Sequence, residues 1–145
     1  MPLYHMSYIS RAAETRGAIR EQVAKDINTV STKNNKERGI AMVLVHIDDF
    51  FIQVLEGSRT EMSPILLKIM ADGRHTDVQI VLAHPIKTRS FIGQHSRIID
   101  VNSEQNDFFK RYTVGRKFDP YVLSPEAIED LILNIVDVTK KLTRK

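Results

Sequence analysis

The chain contains no cysteine. That excludes disulfides, thiolate metal sites and any covalent adduct through a cysteine, and it fits a cytosolic protein. No run of about 18 apolar residues occurs, and no basic segment leads into an apolar one at the start, so neither a membrane span nor a secretion signal is expected. Five histidines, His5, His46, His75, His84 and His95, include no pair at the spacing of helical metal ligands, and no H-E-x-x-H pattern appears. A metal site is therefore not expected. Gly39 and Gly57 stand alone, with no glycine-rich phosphate loop, and nothing marks a nucleophile elbow. Hydrolytic catalysis has no specific support. Net charge is only +3 and the basic residues are spread out. Their one cluster, Lys140, Lys141, Arg144 and Lys145, suits the C-terminal end of a helix. Without a basic stripe interleaved with aromatic residues, nucleic acid is not an expected partner.

What is present fits one domain of 145 residues. Residues 3–10 (LYHMSYIS) read as a strand with Tyr4, Met6 and Tyr8 on one face. From about residue 15 to 31, Ile19, Val23, Ile27 and Val30 form one helical stripe, ending before Asn34 and Asn35. Residues 39–47 (GIAMVLVHI) and 50–57 (FFIQVLEG) read as two strands of a hairpin turning at Asp48 and Asp49. Ser58 and Glu61 have capping-box spacing for a second helix, with Met62, Ile65, Leu66, Ile69 and Met70 expected on its inner face and Pro64 near its start. Residues 77–83 form a fourth strand closed by Pro85, followed by a basic loop, Lys87, Thr88 and Arg89, and a fifth strand around residues 96–101. The order predicts an α+β fold, a ferredoxin-like βαββαβ core plus that fifth strand. Two C-terminal helices complete it: a short one over residues 104–112, and a long one capped by Ser124 and Pro125. The long helix carries Ile128, Leu131, Ile132, Ile135, Val138 and Leu142 and covers the other sheet face.

Gln53 is the anomaly in this scheme. Alternation puts Phe51, Gln53 and Leu55 on one face of their strand and Phe50, Ile52 and Val54 on the other. Two apolar faces must both be covered, so the amide enters a dry layer, where leaving it unpaired costs about 1–3 kcal/mol. A neighbouring backbone group, a water or a bound polar ligand must satisfy it. In a ferredoxin-like sheet the first and third strands are the central pair, which sets Tyr8 beside Gln53 on the face toward the two crossover helices. Ile27 and Ile69 would face each other between those helices. Asn34 and Asn35 lie at one edge, the pair Lys68 and Asp72 lies four apart on the second helix, and Arg74 and His75 follow at its end. Singly, each of these residues has an ordinary structural reading. Together they outline a slot with apolar walls, polar groups at one edge and cations at the mouth, suited to a flat heteroaromatic bearing phosphate.

The residues also resemble a known family, the BLUF domains, blue-light sensors using flavin, in particular the short stand-alone kind with a small C-terminal helical cap. The matching pieces are YHMSYISRA with Tyr8, the pair Asn34 and Asn35 followed by Gly39 and Ile40, FFIQVLEG with Gln53, ADGRHTDVQI with Asp72, Arg74 and His75, and HPIKTRSF with Arg89 and Phe91. The resemblance implies that residues 1–101 form a flavin-binding domain and 102–145 a helical cap packed on it. It implies FAD, with FMN an alternative, held without a covalent bond, so the lack of cysteine is compatible here although it excludes the thiol adduct of LOV-type sensors. Tyr8 would donate an electron and proton to the excited flavin, and Gln53 would bridge Tyr8 to flavin N5 and O4. Asn35, assisted by Asn34, would bond the C4=O and N3 edge, Ile27 and Ile69 would sandwich the ring, and Lys68 would lie near the pyrimidine carbonyl. Asp72 and His75 would lie by the ribityl and phosphate side, with Arg74 beside them.

The chain departs from the family pattern at Met42, where a glycine is usual, and at Gln94 and Ser96, where tryptophan and methionine are common on the signal-output strand. The expectation is a non-enzymatic cytoplasmic photoreceptor. With no catalytic output domain following, it would signal through a partner protein or a homo-oligomer. Two other classes remain open: a ligand-free ferredoxin-like interaction module, and a small flavin oxidoreductase, for which no nicotinamide-binding residues are visible.

Overall fold

Apolar alternation and a dense supply of β-branched residues build the sheet, and the apolar stripe of one long helix covers it. The computed structural model describes residues 2–12, 37–91, 97–104, 106–113, 115 and 117–143. The predicted helix over 15–31 and the site candidates Ile27, Asn34, Asn35, Gln94 and Ser96 lie outside the described residues.

Five strands, β1 (Leu3–Ala12), β2 (Ala41–Ile47), β3 (Phe50–Ser58), β4 (His75–Ile86) and β5 (Arg97–Val101), form one sheet in the order β4-β1-β3-β2-β5. The first four have the ferredoxin-like order expected, and β5 extends the edge parallel to β2. The hairpin between β2 and β3 turns at Asp48, whose φ of 54° lies in the left-handed region that Asp tolerates better than bulkier residues. Strand β4 runs through Pro85 instead of stopping before it. It is an edge strand, where a missing N–H costs no ladder bond. Two register shifts against β1 mark bulges, and Asp77, at φ 52°, lies within the second.

Helix α1 (Arg59–Ala71) starts where the capping spacing placed it: the Ser58 hydroxyl accepts from the Glu61 N–H at 3.3 Å, and Pro64 lies inside the helix. Met62 is buried with Ile40, Met42 and Leu55, and Ile65 and Ile69 pack beside them, whereas Met70 is exposed. Met70 was expected on the inner face, but the described packing engages the Met62, Ile65 and Ile69 line. A side chain on Gly57 would come within 3.2 Å of Ile40 and 3.4 Å of Met62, so glycine permits α1 to sit this close.

The opposite face holds the larger core. Ile9, Val43, Val45, Ile47, Ile52 and Val54 pack against Ile128, Leu131, Ile132 and Ile135 of helix α2 (Pro125–Thr143). Each fully buried aliphatic side chain there contributes about 1.5–3 kcal/mol. Val138, expected in this stripe, is exposed, and the buried neighbour is Val136. The segment expected as a short helix over 104–112 is a 3-10 turn at Asp107–Tyr112. Tyr112 donates to Asp130 of α2 at 2.6 Å, and Tyr121 donates to the Asp77 carbonyl at 2.6 Å beneath the Arg11 guanidinium. These bonds tie the C-terminal segment to α2 and to the β4 bulge.

Candidate functional site

Tyr8 on β1 and Gln53 on β3 are direct partners in the antiparallel register, each 3% exposed. The Tyr8 hydroxyl donates to Gln53 Oε1 in a short hydrogen bond. Burial pushes the phenol's pKa up, and the negative charge of Asp72 adds to the shift, so Tyr8 stays a protonated donor. The Tyr8 donor occupies the carbonyl oxygen of the amide, which directs its NH2 group to partners that accept.

His75 closes one side. Its ring stands edge-on to Tyr8 at 6.1 Å. Nε2 lies 2.5 Å from the Ile69 carbonyl, which can only accept, so this nitrogen carries the proton, while Nδ1 lies 3.0 Å from the Ser10 hydroxyl. Both nitrogens therefore bond within the protein. Ile69 is half-buried at the end of α1, and its carbonyl also accepts from the Asp72 N–H at 3.1 Å. The pairing of Asp72 with Lys68 expected from their spacing gives way to a nearer partner. Arg74 donates to the carboxylate from its backbone N–H and from Nε at 2.9 Å each. Its side-chain bond is the main reason that the carboxyl is held below its usual range, partial burial opposing it. Lys68 is exposed on the same helix.

Two residues of this face were not among the expected site residues. Phe51 lies 6.5 Å from the His75 ring and 4.9 Å from that of His46. His46 Nδ1 faces Asp100 at 3.2 Å, and its buried Nε2 has no hydrogen-bond partner among the described residues. The sheet alternation that singled out Gln53 places Phe51 on its face. It also places Met42 in the cluster under α1. A groove of about 860 Å³ at the hairpin end is lined by Phe50, Tyr112 and Phe118 among others, and none of the expected site residues is among its described lining residues.

The fold and this site define an α+β domain with a ferredoxin-like sheet, an added fifth strand and a buried phenol and amide pair at its centre. Residues 3–96 match the family of sensors of blue-light using FAD, BLUF, and the chain belongs to that family. It is a family of flavin-binding blue-light sensors, as expected. Among curated relatives, the photoactivated adenylate cyclase subunit beta of Euglena longa is 36% identical over 86 residues, 59% of this chain. That of Euglena gracilis is 34% identical over 86 residues, also 59% of this chain. The chain spans about a tenth of the length of these relatives, 10% in each case. Among solved structures, BlsA in its photo-activated state matches with a TM-score of 0.76 at 25% identity, covering 91% of this chain and 92% of that one. The dark-state structure of BlrB matches with a TM-score of 0.61 at 27% identity, covering 68% and 73%. Among the described residues no helix is long and apolar enough to cross a membrane, and no group of His, Cys, Asp or Glu could hold a metal ion.

Proposed function

We propose that this chain is a blue-light photoreceptor in which Tyr8 and Gln53 are the photoactive pair. Bound flavin, FAD by the family's description, supplies blue-light absorption and an electron-accepting excited state. The observation that carries the reading is the hydrogen bond from Tyr8 to Gln53 Oε1 in a buried layer. The donor set fits a flavin: Gln53 keeps its N–H donors for acceptors such as flavin N5 and O4, and half-buried Ile69 offers an apolar wall. Tyr8 holds its proton firmly in the dark and is the side chain placed to release it on giving up an electron. Gln53, bonded through its oxygen to Tyr8, then changes its hydrogen-bond partners. His75 holds the end of α1 and the edge of Tyr8 in place through Ile69 and Ser10.

In this reading Asn34 and Asn35 bond the flavin's polar edge and Ile27 faces Ile69. Lys68 serves near the pyrimidine carbonyl, and Asp72, Arg74 and His75 serve the ribityl and phosphate side. Residues 1–101 sense light and 102–145 form the cap through which a partner protein or a second copy reads the state, in the cytoplasm. Gln94 and Ser96 stand on the output path. Supplying the purified chain with FAD or FMN and recording its spectrum before and after blue light tests this. The expected result is a yellow protein whose flavin bands move slightly to the red and return in darkness. A chain that takes up neither flavin would overturn the proposal.

A further inference from the structure

Glu56 lies three residues beyond Gln53 on β3, so alternation turns it to the opposite face, toward α2. Its carboxylate is fully buried. Oε1 accepts from the backbone N–H groups of Ser90 at 2.8 Å and Phe91 at 3.1 Å, where the chain leaves β4 toward β5. Arg89 donates to the Glu56 carbonyl at 3.2 Å. Oε2 meets His5 Nδ1 at 2.8 Å. The other nitrogen of His5 lies 2.8 and 2.9 Å from the two carboxylate oxygens of Glu129 on α2, and Ser7 donates to Glu129 at 2.8 Å. Since both ring nitrogens face carboxylates, both carry protons, and one imidazolium joins two acids across the core.

Such a network is a poor way to gain stability. Desolvating charges costs several kcal/mol per ion, and well-packed apolar groups in their place are often neutral or stabilising. Its distribution over the fold is more informative. Ser7 and His5 belong to the strand of Tyr8, and Glu56 to the strand of Gln53. Ser90 and Phe91 begin the approach to β5, and Glu129 stands on the helix that covers the sheet. Directional bonds thus connect both photoactive strands to the cap through one side chain.

We infer that Glu56, His5 and Glu129 are positioning residues that set the placement of α2 according to the state of the Tyr8 and Gln53 strands. This rests on the photoreceptor reading above. A rearrangement at Gln53 that shifts β3 relative to β1 alters the seat of His5 between its two carboxylates, and Glu129 passes the change to α2. The network lies across the sheet from the flavin face, so cutting it at Glu129 leaves the flavin spectrum intact.

The test is amide hydrogen exchange of residues 126–136 in the flavin-loaded full chain, dark and illuminated, with absorption recorded on the same samples. In wild type the exchange of these amides should differ severalfold between light and dark. Glu129→Ala, which removes the acceptor at a largely shielded helix position, should bring that ratio to unity while the red shift persists. Glu129→Gln, whose carbonyl oxygen still accepts from His5 and Ser7, should restore it. Where the alanine chain fails to take up flavin, Glu129→Met, which fills the volume without an acceptor, carries the same expectation. A light-dependent ratio that survives removal of the acceptor, or no ratio in wild type despite a normal red shift, overturns the inference and leaves the photoreceptor reading standing. Absence of any red shift in flavin-loaded wild type overturns both.

Discussion

Tyr8 and Gln53 meet as a direct register pair across β1 and β3, the phenol donating to the amide oxygen with both side chains almost fully shielded from solvent. A bond in such a layer has no water to replace either partner, so changing one side chain strands the other.

Gln53→Leu keeps the shape of the side chain and removes both its oxygen and its donors. We predict that flavin is still taken up, that the light-induced red shift disappears, and that the chain loses about 1–3 kcal/mol of stability because the Tyr8 hydroxyl is left unpaired. Absorption spectra and urea unfolding check the two parts separately. A normal red shift in this variant would remove Gln53 from the photoactive pair.

The same geometry predicts coupling. Tyr8→Phe and Gln53→Leu together should cost less than the sum of the single changes, because the double variant leaves neither partner stranded. Urea midpoints of the four chains give the coupling energy. Simple additivity would mean that the bond contributes nothing to the folded state.

The network across the sheet predicts a pH dependence. Burial pulls the pKa of His5 down from its ordinary 6.5, but its bonds to Glu129 and Glu56 and their charges outweigh this and push it up to about 9. His84, whose ring lies 5.2 Å from that of His5, is the third titratable group facing it. A raised folded pKa means that the contribution is complete below about pH 6.5 and lost as pH rises through about 9, a loss of about 3 kcal/mol. Glu129 has the opposite sign. Burial, the largest single influence, raises its pKa, but the bonds from His5 and Ser7 and the charges of His5 and His84 together hold it below its ordinary value, and its contribution fades as pH falls through the carboxylate range. Urea midpoints should therefore drop between about pH 6 and about pH 9.5, and drop less in Glu129→Ala. Equal drops in the two chains would contradict this.

Leu131→Ala deletes a fully buried contact between α2 and the sheet and should cost about 2–5 kcal/mol. Because this core lies across the sheet from Tyr8, thermal unfolding should show the loss while the red shift of the still folded chain is unchanged. A lost red shift in folded protein would mean that the two faces are not separable in this way.

Much of the fold was legible because its signals are local. Alternation in FFIQVLEG exposed Gln53, and the βαββαβ order set β1 beside β3, so the register pair could be anticipated. Where local signals misled, a tertiary reason is visible. Pro85 reads as a strand end, yet it stands on an edge where no ladder bond is lost. Val138 continues the stripe of α2, yet it lies in solvent and Val136 is buried instead. Asp72 and Lys68 have pair spacing, yet Arg74 reaches the carboxylate from two positions away. The network of His5, Glu56 and Glu129 was missed because its members are 51 and 124 residues apart in sequence. One signal was available: Glu56 shares its face with Phe50, Ile52 and Val54, so by the reasoning applied to Gln53 it too had to find partners in a dry layer.

The central claim is that the Tyr8 hydroxyl is required for the light response. Light-minus-dark absorption spectra of flavin-loaded wild type and Tyr8→Phe, recorded side by side, test it most directly. Wild type should show a small reversible red shift, and Tyr8→Phe should hold its flavin and show none; a normal, reversible shift in Tyr8→Phe would contradict it.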